Sequence, residues 1–218
     1  MSGPAAIAWE NTIAWQRRHW REILIQEAGR ADWQSVGCAW GDPQRSDDPL
    51  GDYASVLGWL RSALTPASTV VEIGSWGGKW TQYMLDAHEV ICVDLFPDVE
   101  RVLSQRFGRP AVRMYVTEGD EMRGVASVSA DVVFSMDSLV RAPLDAIAGY
   151  LQETKRILRP SGRALIHLPF NESPGSVSRG FSAVSRSWLE ARLSECDFHS
   201  VTLDARTVVH GVLVEAFV

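Results

Sequence analysis

Short apolar runs alternate with helical patterns from Thr69 onward, and this alternation limits the folds open to the chain more than any other feature. The predicted strands cover residues 69–73, 89–95, 111–117, 131–136 and 163–168. The segments between them that have helical periodicity are 78–88, 98–107 and 144–158. Such alternation is typical of successive βαβ units, so it predicts a parallel sheet covered by helices on both faces.

The two ends of the chain follow different patterns. A short helix over 187–196 leads into two closing strands, 198–203 and 208–217, which are close enough in sequence to pair antiparallel. We therefore predict a doubly wound, seven-stranded, mostly parallel α/β sheet with an antiparallel last strand. Apolar residues at helical spacing before the first strand predict an N-terminal helical cap over 1–65, ahead of the sheet domain over 66–218.

Composition and charge restrict the class of partner. The 218 residues carry a net charge of −6 without a run of Lys or Arg, which argues against nucleic acid and against an anionic membrane surface. The three cysteines are odd in number and far apart, as expected of free thiols in the cytoplasm. The start of the chain has no basic segment followed by an apolar core. We expect a small-molecule partner, no nucleic acid and no membrane, and we leave a homodimer open.

The turn after the first predicted strand contains three glycines within five positions, Gly74, Gly77 and Gly78. In a parallel sheet, ligands bind outside the carboxyl ends of the strands, and the first strand-to-helix turn is the usual cradle. Glycines let the backbone approach a ligand, and a helix that begins there directs N–H groups at an anion. A carboxylate or a phosphate would satisfy this turn equally.

Neighbouring side chains favour one class of ligand. The dinucleotide pattern G-x-G-x-x-G fails, because Trp76 and Lys79 stand where its second and third glycines should fall. Glu72 would repel phosphates but suits an ammonium group. Asp94 ends the second predicted strand, where a carboxylate can accept hydrogen bonds from ribose hydroxyls. The pattern predicts an adenosine ligand with an amino-acid tail.

These residues resemble the class I S-adenosylmethionine-dependent methyltransferases, whose first motif is E/D-x-G-x-G-x-G. Here it reads Glu72-Ile73-Gly74-Ser75-Trp76-Gly77-Gly78, with Trp76 in place of the middle glycine. The fragments "EVICVDL", "EGDEM", "SADVVFSMDSLV" and "LQETKRILRPSGRALI" are similar to later family segments in the same order. The resemblance covers roughly residues 69–168.

The resemblance implies a Rossmann-like fold, S-adenosyl-L-methionine as cofactor and methyl transfer to a small molecule. It places Asp94 on the ribose, Leu95 beside the adenine, and Asp120 and the Glu121 backbone at the adenine edge. The cofactor-binding residues that it implies are Glu72, Gly74, Ser75, Trp76, Gly78, Asp94, Leu95, Asp120, Glu121 and Met136.

Proton removal from the acceptor calls for a base at the ends of the fourth and fifth strands. His167 is the best candidate, because a neutral imidazole with a pKa of about 6.5 can accept a proton from a hydroxyl. Asp137 could orient the acceptor or pair with a cation. His167 alone favours O-methylation over N-methylation, and a glycosylated or aromatic metabolite is the expected acceptor.

Aromatic residues before the first strand are the candidates for an acceptor pocket. Trp15, Trp20, Trp33, Trp40 and Tyr53 could wall an apolar, ring-stacking site. No ligands at a recognisable metal spacing accompany Asp137, so we expect no metal. Two alternatives stay open, a non-catalytic S-adenosylmethionine-binding scaffold or regulatory partner and, less favoured, a nicotinamide-dependent oxidoreductase.

Overall fold

The computed structural model describes residues 21–22, 43, 52–108 and 112–218. Its sheet has seven strands in the order β3-β2-β1-β4-β5-β7-β6. The strands are β1 (Thr69–Ile73), β2 (Glu89–Asp94), β3 (Arg113–Val116), β4 (Ala130–Ser135), β5 (Leu158–Leu168), β6 (Ser200–Asp204) and β7 (Val212–Phe217). β1 to β5 pair in parallel, and β7 is antiparallel to both β5 and β6. This arrangement confirms the predicted fold class.

The helices cover both faces of the sheet. They are α1 (Tyr53–Ala63), α2 (Asp98–Phe107), α3 (Leu144–Ile157), α4 (Pro174–Ser178) and α5 (Arg186–Glu195). The apolar residues of α1 and α2 pack in one buried cluster with one face of β1, β2 and β4. Those of α3 and α5 pack in a second cluster on the opposite face. None of the described helices has the length and apolarity that crossing a membrane requires.

The strand order reverses between β1 and β4, and this reversal positions the candidate site. β1 pairs with β2 on one side and with β4 on the other, and in such a sheet the ligand crevice lies outside the strand ends at this reversal. Ser135 at the end of β4 donates its hydroxyl to the carbonyl of Ile73 at 3.1 Å, which ties the two strand ends together. Side chains that follow these two strands therefore meet at one edge of the sheet.

The predicted helix over 78–88 is wrong. The segment forms hydrogen-bonded turns and a short 3-10 helix, Thr81–Tyr83. Gly78 has a φ of +82°, which does not continue a right-handed helix, and two adjacent glycines lower helix propensity further. No long helix therefore begins at the glycine turn.

The ends of the sheet differ in detail from the predicted ranges. β5 begins at Leu158 and includes the expected turn as an irregularity, with Ser161 at φ +68° and a register shift against β4. β7 begins at Val212, because residues 205–211 form turns. The boundary of the N-terminal cap at residue 65 stays a prediction, since most residues before Asp52 lie outside the described ranges.

Candidate active site

The glycine turn adopts left-handed backbone at three alternate residues, with φ of +79° at Gly74, +46° at Trp76 and +82° at Gly78. A Cβ on Gly74 would lie 1.6 Å from Ser138 Oγ, so this glycine allows the turn after β1 to contact the turn after β4. Trp76 occupies the same backbone region at a cost of about 1 kcal/mol for a residue that has a side chain. A glycine at that position would be free of this strain.

Asp94, at the end of β2, holds this turn through its carboxylate. Oδ2 accepts the N–H of Trp76 at 3.0 Å, and Oδ1 accepts the N–H of Phe96 at 3.1 Å. The rings of Trp76 and Phe96 meet edge to face with centroids 5.6 Å apart, and Asp94 is 5% exposed. Burial raises the pKa of Asp94 to about 6, although the backbone N–H donors oppose the shift.

Glu72 lies beneath the glycine turn and is 2% exposed. Its Oε2 accepts the hydroxyl of Thr81 at 2.5 Å and the thiol of Cys92 at 3.8 Å. Burial raises the pKa of Glu72 to about 7, because the charged carboxylate loses its hydration. Glu72 therefore supports the turn from below through its bond to Thr81, a partner that the sequence pattern had not indicated.

The predicted adenine-edge segment lies beside Asp94. The N–H of Thr117 donates to the Asp94 carbonyl at 2.9 Å, and the Thr117 hydroxyl donates to the carbonyl of Glu121 at 2.7 Å. The side chain of Asp120 is exposed, and that of Glu121 pairs with Arg123. Strand pairing between β2 and β3 thus positions these residues next to the predicted ribose carboxylate.

The other predicted cofactor-binding residues lie at different depths in the protein. Leu95 is half-buried after β2 and adjoins the cluster of α1 and α2. Met136 is buried in that cluster, and Ser75 is buried in the glycine turn. Ser75, Gly74 and Gly78 lie together in the turn, whereas Met136 belongs to the core beneath the crevice.

Asp137 accepts hydrogen bonds from three different elements. The Tyr53 hydroxyl, in the first turn of α1, donates to Oδ2. His167 Nδ1, near the end of β5, lies 2.9 Å from Oδ1, and His210 Nε2, in the turn before β7, lies 2.7 Å from the same oxygen. Burial alone would raise the pKa of Asp137, but the two histidines outweigh it and hold the pKa below its ordinary value. Asp137 itself has a φ of +59°, a strained backbone that functional sites often contain.

His167 is enclosed by protein on both sides of its ring. The side chain is 0% exposed, and burial lowers its pKa. Nδ1 faces Asp137, while Nε2 has no hydrogen-bond partner among the described residues and packs against Gly211, where a Cβ would lie 2.1 Å from it. This placement favours a supporting role for His167 behind Asp137 over direct contact with an acceptor.

Aromatic and cationic groups adjoin Asp137 through Tyr53. The Tyr53 ring lies 5.7 Å from the ring of Trp80, and the Lys79 ammonium lies 4.4 Å from the Tyr53 centroid. Tyr53, one of the predicted acceptor-binding residues, therefore reaches the cluster. The other four predicted acceptor-binding residues fall outside the described residues; they are Trp15, Trp20, Trp33 and Trp40.

His210 is the main residue that sequence reasoning missed. It is separated from Asp137 by 73 positions and lies in a turn between two strands, where no spacing marks it. The only available signal was its place before the closing strand, which the antiparallel pairing of β5 and β7 brings beside His167. The two imidazole rings stand edge to face, 4.6 Å apart.

Comparison with known proteins finds a family match for the central part of the sheet. The family described as a methyltransferase domain matches residues 71–166. A thiol S-methyltransferase of Rattus norvegicus, TMT1B, is 30% identical over 112 residues, a match that covers 50% of this chain and 45% of that enzyme. The chain therefore matches less than half the length of this relative.

Solved structures support the fold. A Haloferax volcanii protein in complex with the Trm112 methyltransferase activator has a TM-score of 0.65 at 14% identity, covering 94% of this chain and 96% of its own. A geranyl diphosphate methyltransferase in complex with GPP and sinefungin has a TM-score of 0.58 at 15% identity, covering 76% and 77%. Residues 71–166 thus match a methyltransferase domain, and the solved structures share the fold of the sheet.

The residues of this methyltransferase domain fit S-adenosylmethionine, the cofactor of the family. Gly74 leaves no room for a Cβ because the Ser138 side chain fills that space, so the turn after β1 lies directly against the turn after β4. The Asp94 carboxylate accepts backbone N–H groups of the glycine turn and of the segment after β2, so it lies beside the turn, where the motif predicts the ribose. Because Asp94 is 5% exposed, ribose can reach it only if the surrounding turn opens.

Proposed function

We propose that this chain methylates a small molecule with S-adenosylmethionine as the methyl donor, and that a thiol is the preferred acceptor. The observation that carries the proposal is the contact between the two halves of the site. Gly74 of the cofactor turn touches Ser138, which directly follows Asp137 of the hydrogen-bonded cluster. A cofactor in the turn and an acceptor at Asp137 would therefore be neighbours.

The chain's own residues divide the work of binding. We assign the ribose to Asp94, the amino-acid end to the glycine turn above Glu72, and the adenine edge to Asp120 and Glu121. The bound cofactor supplies an electrophilic methyl group on a sulfonium. What remains for the protein is to hold the acceptor in line, to exclude water and to accommodate the acceptor's proton.

We assign the acceptor side to Asp137 and Tyr53. The Asp137 side chain is 28% exposed, whereas both histidines behind it are buried. Tyr53 fixes the second carboxylate oxygen, so the orientation of Asp137 is defined from both sides. The tryptophans of the N-terminal segment remain our proposed outer wall for the acceptor, and the segment 1–65 our proposed cap.

The acceptor atom follows from the bases that the described residues offer beside Asp137. His167 faces protein with both ring nitrogens, and both oxygens of Asp137 already accept hydrogen bonds. A hydroxyl acceptor would need a strong base at this position. A thiol, with a pKa of about 8.5, already supplies some thiolate at neutral pH. The relative from Rattus norvegicus is a thiol S-methyltransferase, which supports the same choice. This ranking replaces the hydroxyl preference that rested on His167.

Incubation with methyl-labelled S-adenosylmethionine tests the proposal. We expect mass spectrometry of small-molecule extracts to show a product that gains one labelled methyl. Blocking the thiols of the extract beforehand should remove that product. A product that survives the block would overturn the thiol assignment. Cofactor binding without any labelled product would favour the non-catalytic scaffold.

Trp76 provides a second prediction. Trp76 stands where the motif has its middle glycine, its N–H binds Asp94 and its ring packs against Phe96. We therefore expect Trp76→Gly and Trp76→Ala both to raise the affinity for S-adenosylhomocysteine severalfold, measured by calorimetry. The two variants differ in backbone strain, so the glycine form should be more stable than the alanine form by about 1 kcal/mol in urea unfolding.

Trp188→Ala, which shortens a tryptophan packed in the opposite cluster, is the matched control and should leave affinity unchanged. Unchanged or weaker binding in both Trp76 variants would show that this ring does not obstruct the ribose position.

A further inference from the structure

The side chains of Asp137, His167 and His210 bring together three atoms that can ligate a metal, all within 4.8 Å of one another. They come from the end of β4, the end of β5 and the turn before β7. No sequence spacing links them, which is why the sequence predicted no metal. The strand order brings them together at the same edge of the sheet as the glycine turn.

We propose that Asp137, His167 and His210 bind one divalent transition-metal ion, with Zn²⁺ as the best match. Two imidazole nitrogens and one carboxylate oxygen form the ligand set of many catalytic zinc sites, which keep a further position open. Mg²⁺ and Ca²⁺ prefer oxygen ligands, so a site with two imidazoles disfavours them.

The spacing of the three atoms suits this ion. Asp137 Oδ1 lies 2.9 Å from His167 Nδ1 and 2.7 Å from His210 Nε2. Ligand atoms that each bind zinc at about 2.0–2.1 Å are separated by roughly 3 Å. Small side-chain shifts would therefore admit the ion, without any change in the strands.

The hydrogen bonds around His167 impose conflicting demands on one atom. To bond with Asp137 Oδ1, 2.9 Å away, His167 Nδ1 must carry a proton. To accept the backbone N–H of Asp137, 3.3 Å away, the same nitrogen must present a lone pair. One ring nitrogen cannot meet both demands. A metal ion beside Nδ1 and Oδ1 would let both atoms present lone pairs to it. The 3.3 Å hydrogen bond from the Asp137 backbone N–H to His167 Nδ1 would then be lost.

Supporting contacts and access also suit a metal site. The Tyr53 hydroxyl holds Oδ2, as outer partners commonly orient a ligating carboxylate. The Asp137 side chain is partly exposed, so the ion has an entry route, and an open coordination position would face the crevice. There the ion could bind an acceptor thiol as thiolate. That role rests on the proposed function, whereas metal binding itself does not.

Metal titration of the full, tag-free chain tests the proposal. After treatment with a chelator and its removal, we expect Co²⁺ to give visible absorption bands that saturate at one equivalent per chain. Zn²⁺ should displace Co²⁺ and abolish these bands. His210→Gln and Asp137→Asn should each weaken Zn²⁺ binding by at least about tenfold, a loss typical of damaged metal sites.

His199→Gln removes an exposed histidine at a distance from the cluster and should bind Zn²⁺ as tightly as the parent. Thermal unfolding without metal checks that each variant is folded. If His210→Gln or Asp137→Asn is unfolded, His167→Gln is tested in its place. No saturable binding by the parent, or equal binding by the folded cluster variants and the parent, would overturn the proposal.

The two proposals fail in different ways. A chain that binds S-adenosylhomocysteine but no Zn²⁺ would keep the proposed cofactor site and lose the metal. A chain that binds Zn²⁺ but no S-adenosylhomocysteine would keep the metal site and lose the proposed cofactor site.

Discussion

Replacing Asp94 with Ala should weaken the binding of S-adenosylhomocysteine by roughly 100-fold, since hydrogen bonds to a charged group contribute about 1.5–3 kcal/mol each. The substitution would remove the proposed ribose acceptor. It would also release the N–H groups of Trp76 and Phe96, which hold the glycine turn in place. Calorimetric titration of the parent and the variant measures the difference.

Asp94→Asn separates these two effects. The carboxamide keeps one acceptor oxygen, so the loss of affinity should be smaller than for alanine. Asp86→Ala removes an exposed carboxylate near the same turn and should bind like the parent. Parent-like affinity in Asp94→Ala would remove Asp94 from the cofactor site.

Glu72→Gln should change how stability depends on pH. Burial raises the pKa of Glu72 from 4.5 to about 7, so the unfolded chain ionises this group at lower pH than the folded protein does. Its stabilising contribution is complete below about pH 4.5 and is lost as the pH rises through 7. The free energy of unfolding falls by about 3 kcal/mol over that window because of this group.

Glutamine does not ionise, and its carbonyl can still accept the Thr81 hydroxyl. The stability of Glu72→Gln relative to the parent should therefore increase from pH 4.5 to 7, by up to about 3 kcal/mol. Urea unfolding at several pH values measures this difference. Glu100→Gln, on the exposed side of α2, is the matched control substitution. If the difference in unfolding free energy between Glu72→Gln and the parent did not change with pH, Glu72 would be ionised in the folded protein throughout this range.

The centre of the sheet was predictable because β1, β2 and β4 are short apolar runs that are buried on both faces. All five residues of β1 are buried, and its predicted bounds are confirmed. The helix over 78–88 failed because Gly78 adopts a left-handed backbone and because Thr81 uses its hydroxyl to satisfy the buried Glu72. Periodicity alone reports neither constraint.

The candidate site was predictable only where residues follow strands directly. Asp94, Asp137 and His167 each lie at a strand end, and a parallel sheet collects such ends at one edge. His210 lies in a turn of the closing antiparallel pair, so its position depends on long-range pairing between β5 and β7. The Asp137 cluster could therefore be recognised only once the sheet had been assembled.

Titration of the parent chain with S-adenosylhomocysteine, beside a matched titration with NAD⁺, tests the central claim most directly. We predict saturable binding of S-adenosylhomocysteine at one site per chain and no binding of NAD⁺, because Trp76 and Lys79 interrupt the dinucleotide pattern. Saturable NAD⁺ binding with no response to S-adenosylhomocysteine would contradict the account.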